Sequence, residues 1–515
     1  MKKTLALFLV VAMACTLIAG MAVGEEKPVL HVMAQTDVRQ MSWAEMGMFK
    51  DAAANAGVEI EWEEISTGWT EKKPVILASG DLPDIIINAS TITSSDIISN
   101  IDSFMDMTDL IAEYAPNIQK MFEEVPDSLT ASMYNGGIYA LPLVTAYRPT
   151  SYVTLNINKV WLDKLGLKVP TTLDEFEQCL IAFRDRDPNG NGIKDEIPLD
   201  WPQQGHTHDI YCLTGAFGTV DNQSTNMVVV EDGKVKFLYE TEAFYKLTQY
   251  VHRWYEEGLI TPEVYTNDYT ASNVVRTTGD IARVGAATGY SAPSLFSKFS
   301  DEYISIAPLS GGEEYDVKWP FSTVGAAVNS NKLVMTSDCE NPEAAMRFIN
   351  ELYSDDFGIQ EYYGSFDTGA VTKYDDGTYS IQLVEGYGSI DEMKWYLSPV
   401  DNGPGYFSAD LVSRTKAPAE LTDRTVTEEL YIPYRNDPKD IWPTYARFNE
   451  EQNEELVYLQ SDIQNLVNQK MAAWCVNGGI EDEWDDYINS LKMMGLEEMR
   501  AIYQEVYDAY WAEQQ

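Results

Sequence analysis

The chain is expected to fold as an α/β protein of two lobes, each built on a doubly wound sheet, followed by a helical C-terminal region. Three observations predict this. Its 515 residues, 45% of them hydrophobic, exceed what one compact core ordinarily holds, so two intimately linked domains are expected. Residues 28–90 alternate strand and helix patterns, the signature of a parallel doubly wound sheet. From about Glu450 onward the pattern is helical, broken chiefly at Gly478-Gly479 and Gly495.

Taken in order, Val29–Met33 reads as the first strand, and Ser42-Trp-Ala-Glu45 as the cap of a helix to about Ala56. Val58, Ile60 and Trp62 alternate with glutamates in a second strand; a helix around Val75–Ser79 precedes a third, Asp84–Ile87. Parallel sheets of this kind bind ligands at the carboxyl ends of their strands. The loops Gln35–Met41, Ser66–Thr70 and Asn88–Thr91 should therefore line one edge. A second α/β lobe begins after Tyr147-Arg148-Pro149, with a strand at Tyr152–Leu155 and a helix at Lys159–Leu165 closed by Gly166. Thr172–Glu175 reads as a capping box, and Leu173, Phe176, Leu180 and Phe183 follow at helical spacing. Phe321–Val328 and Asn341–Ile349 look like a further strand and helix. There is no internal repeat and no long low-complexity linker, so several short crossovers should join the lobes.

Between helix and next strand lies Asp187-Pro-Asn-Gly-Asn-Gly-Ile-Lys-Asp-Glu196, which places oxygen donors at alternate positions around a forced turn. Counting Asp187 as position 1, Asn189 stands at 3, Asn191 at 5, Gly192 at the turn, Ile193 at 7 with its carbonyl, and Asp195 at 9. Position 12 is Pro198 where a helix-loop-helix calcium hand has a bidentate Glu, so Glu196 is the expected source of the last oxygens. The competing reading is an Asn/Gly-rich surface turn without metal. The exit Ile197–Trp201 contains a proline and reads as extended, and the loop occurs once. A structural calcium clip is expected, not a switch.

Lys2-Lys3, the apolar stretch Leu5 to about Val23 and Glu25-Glu26-Lys27 form a secretory signal, residues 1–24, with cleavage expected near Glu25. Lipidation at Cys15 and an uncleaved anchor are the alternatives. No later segment approaches the ~18 apolar residues that span a bilayer. Cys179, Cys212, Cys339 and Cys475 are spread far apart and imply no disulfide framework. With 36 basic and 81 acidic residues the net charge is −45, which argues against nucleic acid and anionic membrane surfaces as partners.

The chain resembles extracellular solute-binding proteins of bacterial ABC importers, in particular the lipoprotein-like subgroup that takes up oligosaccharides. The stretches that carry the resemblance are Leu77–Asp84, Ile138–Pro142, Trp161–Phe176, Asp187–Pro198 and Asn341–Met346, with Trp484–Tyr487, Met494-Gly495 and Tyr507-Asp508 in the tail. It implies the periplasmic-binding-protein fold of type II, with a ligand cleft between lobes formed by residues 28–148 plus about 322–395 and by 149–321 plus about 396–515. It further implies a monomer that docks on membrane permease subunits, and a calcium held by Asp187, Asn189, Asn191, the Ile193 carbonyl, Asp195 and Glu196. A cysteine directly after the apolar run, usual in the subgroup, is not cleanly present.

Sugar sites combine flat aromatics with groups that hydrogen-bond hydroxyls. Among 12 Trp and 31 Tyr, position in loops selects Trp43 and Trp69 in the first lobe. Tyr147, Arg148, Trp201, Tyr290, Trp319 and Tyr406 are the further candidates, with Gln203, Gln204, His206 and His208 beside Trp201. Trp62 and Trp161 read as packing. The enzyme alternative is a calcium-dependent lyase or hydrolase, and the binding alternative a glycan adhesin or sensor without transport. Abundant carboxylates do not discriminate a hydrolase. Four histidines, no His-Glu-x-x-His, no Gly-x-Ser-x-Gly and no phosphate-binding glycine loop argue against catalysis.

Overall fold

A computed structural model describes residues 27–88, 92–145, 151, 153–201, 210–222, 227–267, 269–321, 327–416, 427–443 and 446–513. The first lobe is organised by a six-stranded sheet. Its strands are β1 (Val29–Gln35), β2 (Glu59–Ile65), β3 (Ile85–Ile87), β4 (Leu141–Thr145), β9 (Ala327–Met335) and β10 (Gly405–Phe407), in the order β10-β4-β9-β3-β1-β2. β1 runs parallel to β2 and β3, as the helix-strand alternation predicts. Ile85, Ile86 and Ile87 are buried on both faces of the sheet, the pattern of a central parallel strand. β2 lies at the edge, and its exposed Glu59, Glu61 and Glu63 guard that edge with charge against pairing with other chains.

β9 was not legible from the alternation, because it enters from the other lobe and runs antiparallel to both β3 and β4. Its observed span is Ala327–Met335; residues 322–326 of the expected strand lie outside the described residues. β10 adds parallel to β4, so the first lobe's share of the chain runs at least to Phe407, beyond the expected boundary near 396. Tyr406 packs in the first-lobe core, whereas Tyr431 and the C-terminal helices pack in the second.

The second lobe centres on β5 (Thr154–Asn158), β6 (Ile197–Asp200), β7 (Val284–Gly289) and β8 (Tyr303–Ile306), ordered β8-β5-β7-β6. β7 and β6 are parallel; β5 is antiparallel to both β7 and β8. Its core takes Leu173, Phe176, Leu180 and Phe183 from the helix Leu173–Asp185, all fully buried at the expected helical spacing. Thr172 accepts the amide of Glu175 there, but Glu175 reaches back to the amide and hydroxyl of Thr171, one residue earlier than in a regular capping box. Gly166 closes the helix Lys159–Leu165 in the left-handed region at φ 66°, as expected. The helices Glu450–Asn477, Ile480–Met493 and Leu496–Glu513 break at the expected glycines.

One cap differs from expectation. Ser42 makes no cap; the carboxylate of Glu64 on β2 instead accepts the Trp43 and Ala44 amides at 3.2 and 3.1 Å and the Ser42 hydroxyl at 2.6 Å. The first turn, Trp43–Glu45, is accordingly a tight 3₁₀ segment, and the α-helix proper is Gly47–Ala56.

Candidate functional site

Topology fixes where the two sheets face each other. β4 is parallel to β1, and the chain leaves its carboxyl end at Thr145 to reach β5 at Thr154. β5 is antiparallel to β7, so the carboxyl ends of β7 and β6 lie beside the start of β5. The carboxyl ends of the parallel strands in both lobes therefore converge on the crossover. Ser151 and Phe321 pair as an isolated antiparallel bridge, holding two crossovers side by side. The first rim consists of the chain after Gln35, Ile65 and Ile87; the second consists of Trp201 and Tyr290 with the strand starts beside them.

The candidate aromatics fare differently on these rims. Trp43 is fully buried, stacked on Phe49 at 5.4 Å with its indole N–H donating to Gln40 Oε1 at 3.0 Å. Trp69 begins the helix Trp69–Ser79 and packs under it against Met33, Ile65 and Ile86. Trp319 donates from its indole to the Val153 carbonyl at 2.8 Å and lies on the Tyr431 ring at 5.0 Å. Tyr406 is buried with its hydroxyl on Glu124 at 2.5 Å. These four rings spend their faces on core packing, which corrects their expected role as open stacking surfaces. Trp62 and Trp161 pack as expected. Tyr147 and Arg148 lie outside the described residues, as do Gln203, Gln204, His206 and His208.

Two candidates stand at the second rim. Tyr290, directly after β7, is 36% exposed. Trp201, directly after β6, is 1% exposed and meets Tyr211 and Tyr265 edge-on, and among the described residues its Nε1 has no hydrogen-bond partner. An unpaired buried donor costs about 1–3 kcal/mol, so its survival at a strand end fits a donor that serves a ligand. The preceding residue, Asp200, pairs with Arg276 at 2.6 Å, both nearly sealed from solvent. Burial lifts the Asp200 carboxyl above its ordinary range against the opposing pull of Arg276. This pair anchors the helix Tyr269–Thr277 to the end of β6.

The first rim also carries aromatic material that loop position did not identify. The guanidinium of Arg39 lies 4.1 Å over the ring of Trp395. The Met41 amide donates to the Tyr396 carbonyl at 3.0 Å, and Gln40 Nε2 to the Pro399 carbonyl at 2.7 Å. The helix Ile390–Leu397 buries Ile390, Met393 and Leu397, which leaves Trp395 and Tyr396 off its core stripe. That spacing was the available signal: outward aromatics on an otherwise ordinary amphipathic helix.

The loop 187–196 has the backbone its spacing requires. Asp187 carboxylate oxygens accept the amides of Gly190, Asn191 and Gly192 at 3.0–3.1 Å. The Asn189 and Asn191 side chains accept the amides two residues on, at 3.0 and 2.6 Å, and both donate to Asp195 Oδ1. Gly192 turns at φ 75°, where a side chain would be strained. Lys164 Nζ donates to the Pro188 carbonyl at 2.6 Å and pins the loop to the lobe. Among the described residues Glu196 Oε1 is buried without a hydrogen-bond partner; burial first, then Asp187 and Asp195, raises its carboxyl above the usual range against the opposing pull of backbone amides. Among the described residues no three Asp, Glu, His or Cys side chains are gathered as a metal cluster. The loop's donor set is mixed, with two amides and a carbonyl beside its carboxylates, which suits an oxygen-seeking cation.

Two sheets facing each other across paired crossovers define a binding protein of two lobes. The chain belongs to the bacterial extracellular solute-binding proteins, whose family model matches residues 39–358. It is 28% identical over 477 residues to the fructooligosaccharide ABC transporter substrate-binding protein FusA of Streptococcus pneumoniae serotype 4, spanning 88% of this chain and 85% of that protein. The HMO-binding ABC-transporter-associated solute-binding protein of Bifidobacterium longum infantis superposes with a TM-score of 0.84 at 28% identity, covering 94% of this chain and 99% of that one. FusA of S. pneumoniae in complex with kestose superposes with a TM-score of 0.82 at 25% identity over 94% and 100% of the two chains, and an EF-hand mutant of FusA with fructo-nystose does equally well. The expected two-lobed fold of type II holds.

Proposed function

We propose that this protein binds an oligosaccharide between its lobes and delivers it, unaltered, to the permease subunits of an ABC importer. The observation that carries this reading is the convergence of both sets of strand ends on one crossover, with the Trp201 indole N–H, unpaired among the described residues, and the exposed Tyr290 at the rim. The names of its relatives, an ABC transporter substrate-binding protein among them, supply the class of ligand and partner. In this role Trp201 donates to a sugar hydroxyl, Tyr290 offers a ring face, and Arg39 on Trp395 borders the opposite rim. Tyr147 and Arg148 remain candidates for the crossover.

Calcium is a structural part of this function. Asp187, Asn189, Asn191, the Ile193 carbonyl, Asp195 and Glu196 hold it, and the orphaned Glu196 oxygen fits the role of final ligand. The loop leads directly into β6, whose Ile197 amide is fixed to the Arg283 carbonyl at 2.8 Å. The ion thus steadies the strand that ends in Asp200 and Trp201. The protein acts outside the cytoplasmic membrane after cleavage near Glu25, with lipidation at Cys15 as the alternative, and works as a monomer. Among the described residues no helix is long and apolar enough to cross a membrane.

Binding without turnover separates this reading from an enzyme. Titration with oligosaccharides should raise the melting temperature and alter Trp fluorescence, with the sugar recovered intact by mass. Recovery of cleaved sugar would overturn the transport role.

A further inference from the structure

The seam between the first lobe and the C-terminal region encloses a small pocket of about 90 Å³. Ser94, Ser95 and Ser330 line it from the first lobe; Arg447, Phe448 and Asn453 line it from the segment that enters the helix Glu450–Asn477. Ser94 begins a short helix soon after β3, so the pocket lies by the first rim of the cleft.

Among the described residues Arg447 is the only charged one of this lining, in a chain with 81 acidic and 36 basic residues. Such a composition makes a carboxylate partner the default, yet Arg447 has none among the described residues. Its Nη2 donates to the carbonyls of Thr130 and Ala131, and its guanidinium lies flat on the Tyr134 ring at 3.8 Å. That docking accounts for one nitrogen and one face. Nε and Nη1 form no hydrogen bond among the described residues, and the side chain is half-buried.

The floor is rigid. Tyr134 donates to Asn331 Oδ1 at 2.6 Å, Asn331 Nδ2 donates to Ser94 Oγ at 3.2 Å, and Ser94 Oγ and the Tyr134 hydroxyl stand 3.0 Å apart. That closed ring uses the Ser94 hydroxyl internally. The Ser95 and Ser330 hydroxyls form no hydrogen bond among the described residues and line the same pocket as Arg447, Ser95 from its exposed side. A brace between lobes would require neither the cavity nor these donors. The chain's overall field repels anions, so a site for one must exclude acidic side chains from its walls, as this lining does.

We propose that this pocket is an anion subsite that takes the carboxylate of an acidic sugar unit in the bound oligosaccharide. Arg447 supplies the charge-assisted hydrogen bonds, and Ser95 and Ser330 flank them. The pocket, about 90 Å³ and open to solvent on one side, has room for a carboxylate group. The subsite rests on the oligosaccharide reading above and narrows it to uronate-bearing ligands.

The test uses the full mature protein at constant ionic strength. Sodium glucuronate, exchanged for chloride, should raise the melting temperature of wild type and of Arg447→Lys, but not of Arg447→Gln; Ser330→Ala, which leaves the docking contacts intact, should show a weakened response. An equal response in wild type and Arg447→Gln means an adventitious ion effect only and overturns the subsite. In calorimetry, galacturonan oligomers should bind wild type about 10- to 100-fold more tightly than their carboxyl-reduced forms, the worth of one charge-assisted hydrogen bond, and Arg447→Gln should lose that preference. Equal binding of charged and reduced oligomers to wild type sinks the subsite and leaves the transport reading standing. An Arg447-dependent glucuronate response without binding of any oligosaccharide keeps the pocket as a carboxylate site and removes the oligosaccharide reading.

Discussion

Replacing Glu196 by glutamine should stabilise the protein in a chelator and abolish its response to calcium. Glu196 stands beside Asp187 and Asp195 with Oε1 buried and unpaired among the described residues, a situation that costs about 1–3 kcal/mol. The amide keeps the shape and removes the charge, so part of that cost is recovered when no cation is present. Asp187→Ala acts in the opposite direction under the same conditions, because the Asp187 carboxylate satisfies three backbone amides of the turn. Loss of such a cap costs ~1 kcal/mol or somewhat more. Calcium at a hundredfold excess over its Kd stabilises wild type by about 2.7 kcal/mol. For a lobe of this size each kcal/mol moves the melting temperature by roughly 2–4 °C, so chelation should lower it by roughly 5–11 °C. Thermal unfolding of the three proteins in EDTA and in excess calcium reads all of these effects. An unchanged wild-type melting temperature on chelation, or a full calcium response in Glu196→Gln, refutes the assignment.

Three other perturbations probe the site and its support. Arg276→Met should destabilise by about 3 kcal/mol, seen as a lower denaturant midpoint, because it strands the buried Asp200 carboxylate; adding Asp200→Asn should recover much of the loss. Trp201→Phe removes an indole N–H that has no partner among the described residues, so oligosaccharide affinity should fall about 10-fold or more in calorimetry while Tm drops only modestly. Burial pushes the thiols of Cys179 and Cys475 up to about 11 and that of Cys339 to about 12, so at pH 8 a disulfide reagent should label them only on unfolding, and native labelling should begin to rise only in strongly alkaline buffer.

Some of these features were readable because their causes are local. The loop 187–196 is determined by donors within ten residues and by glycines where the turn demands them, and the same spacing reappears as the hydrogen bonds from Asp187 to three amides. The helix Leu173–Asp185 and the parallel set β1 to β3 follow from periodicities of 3.6 and 2 over short windows. Local reasoning failed at Ser42, where a good capping residue lost to Glu64, a carboxylate brought across from the neighbouring strand.

The aromatics mark the same division. Trp43 and Trp319 were expected at the cleft because they stand in or next to loops, but a ring is claimed by whichever surface reaches it first. Trp319 meets Val153, 166 residues away in the chain, and the ring of Tyr431. Arg447 owes its isolation to carbonyls more than 300 residues earlier. By itself, then, the sequence determined the α/β class, the first parallel strands, the C-terminal helices and the hydrogen-bonded turn of residues 187–196, all products of interactions between near neighbours. Only the tertiary structure decided how β9 and β10 complete the first sheet, which aromatic rings are closed by packing, and which donors are left unpaired at the rims. Those outcomes depend on burial, and burial belongs to contacts between segments far apart in the chain.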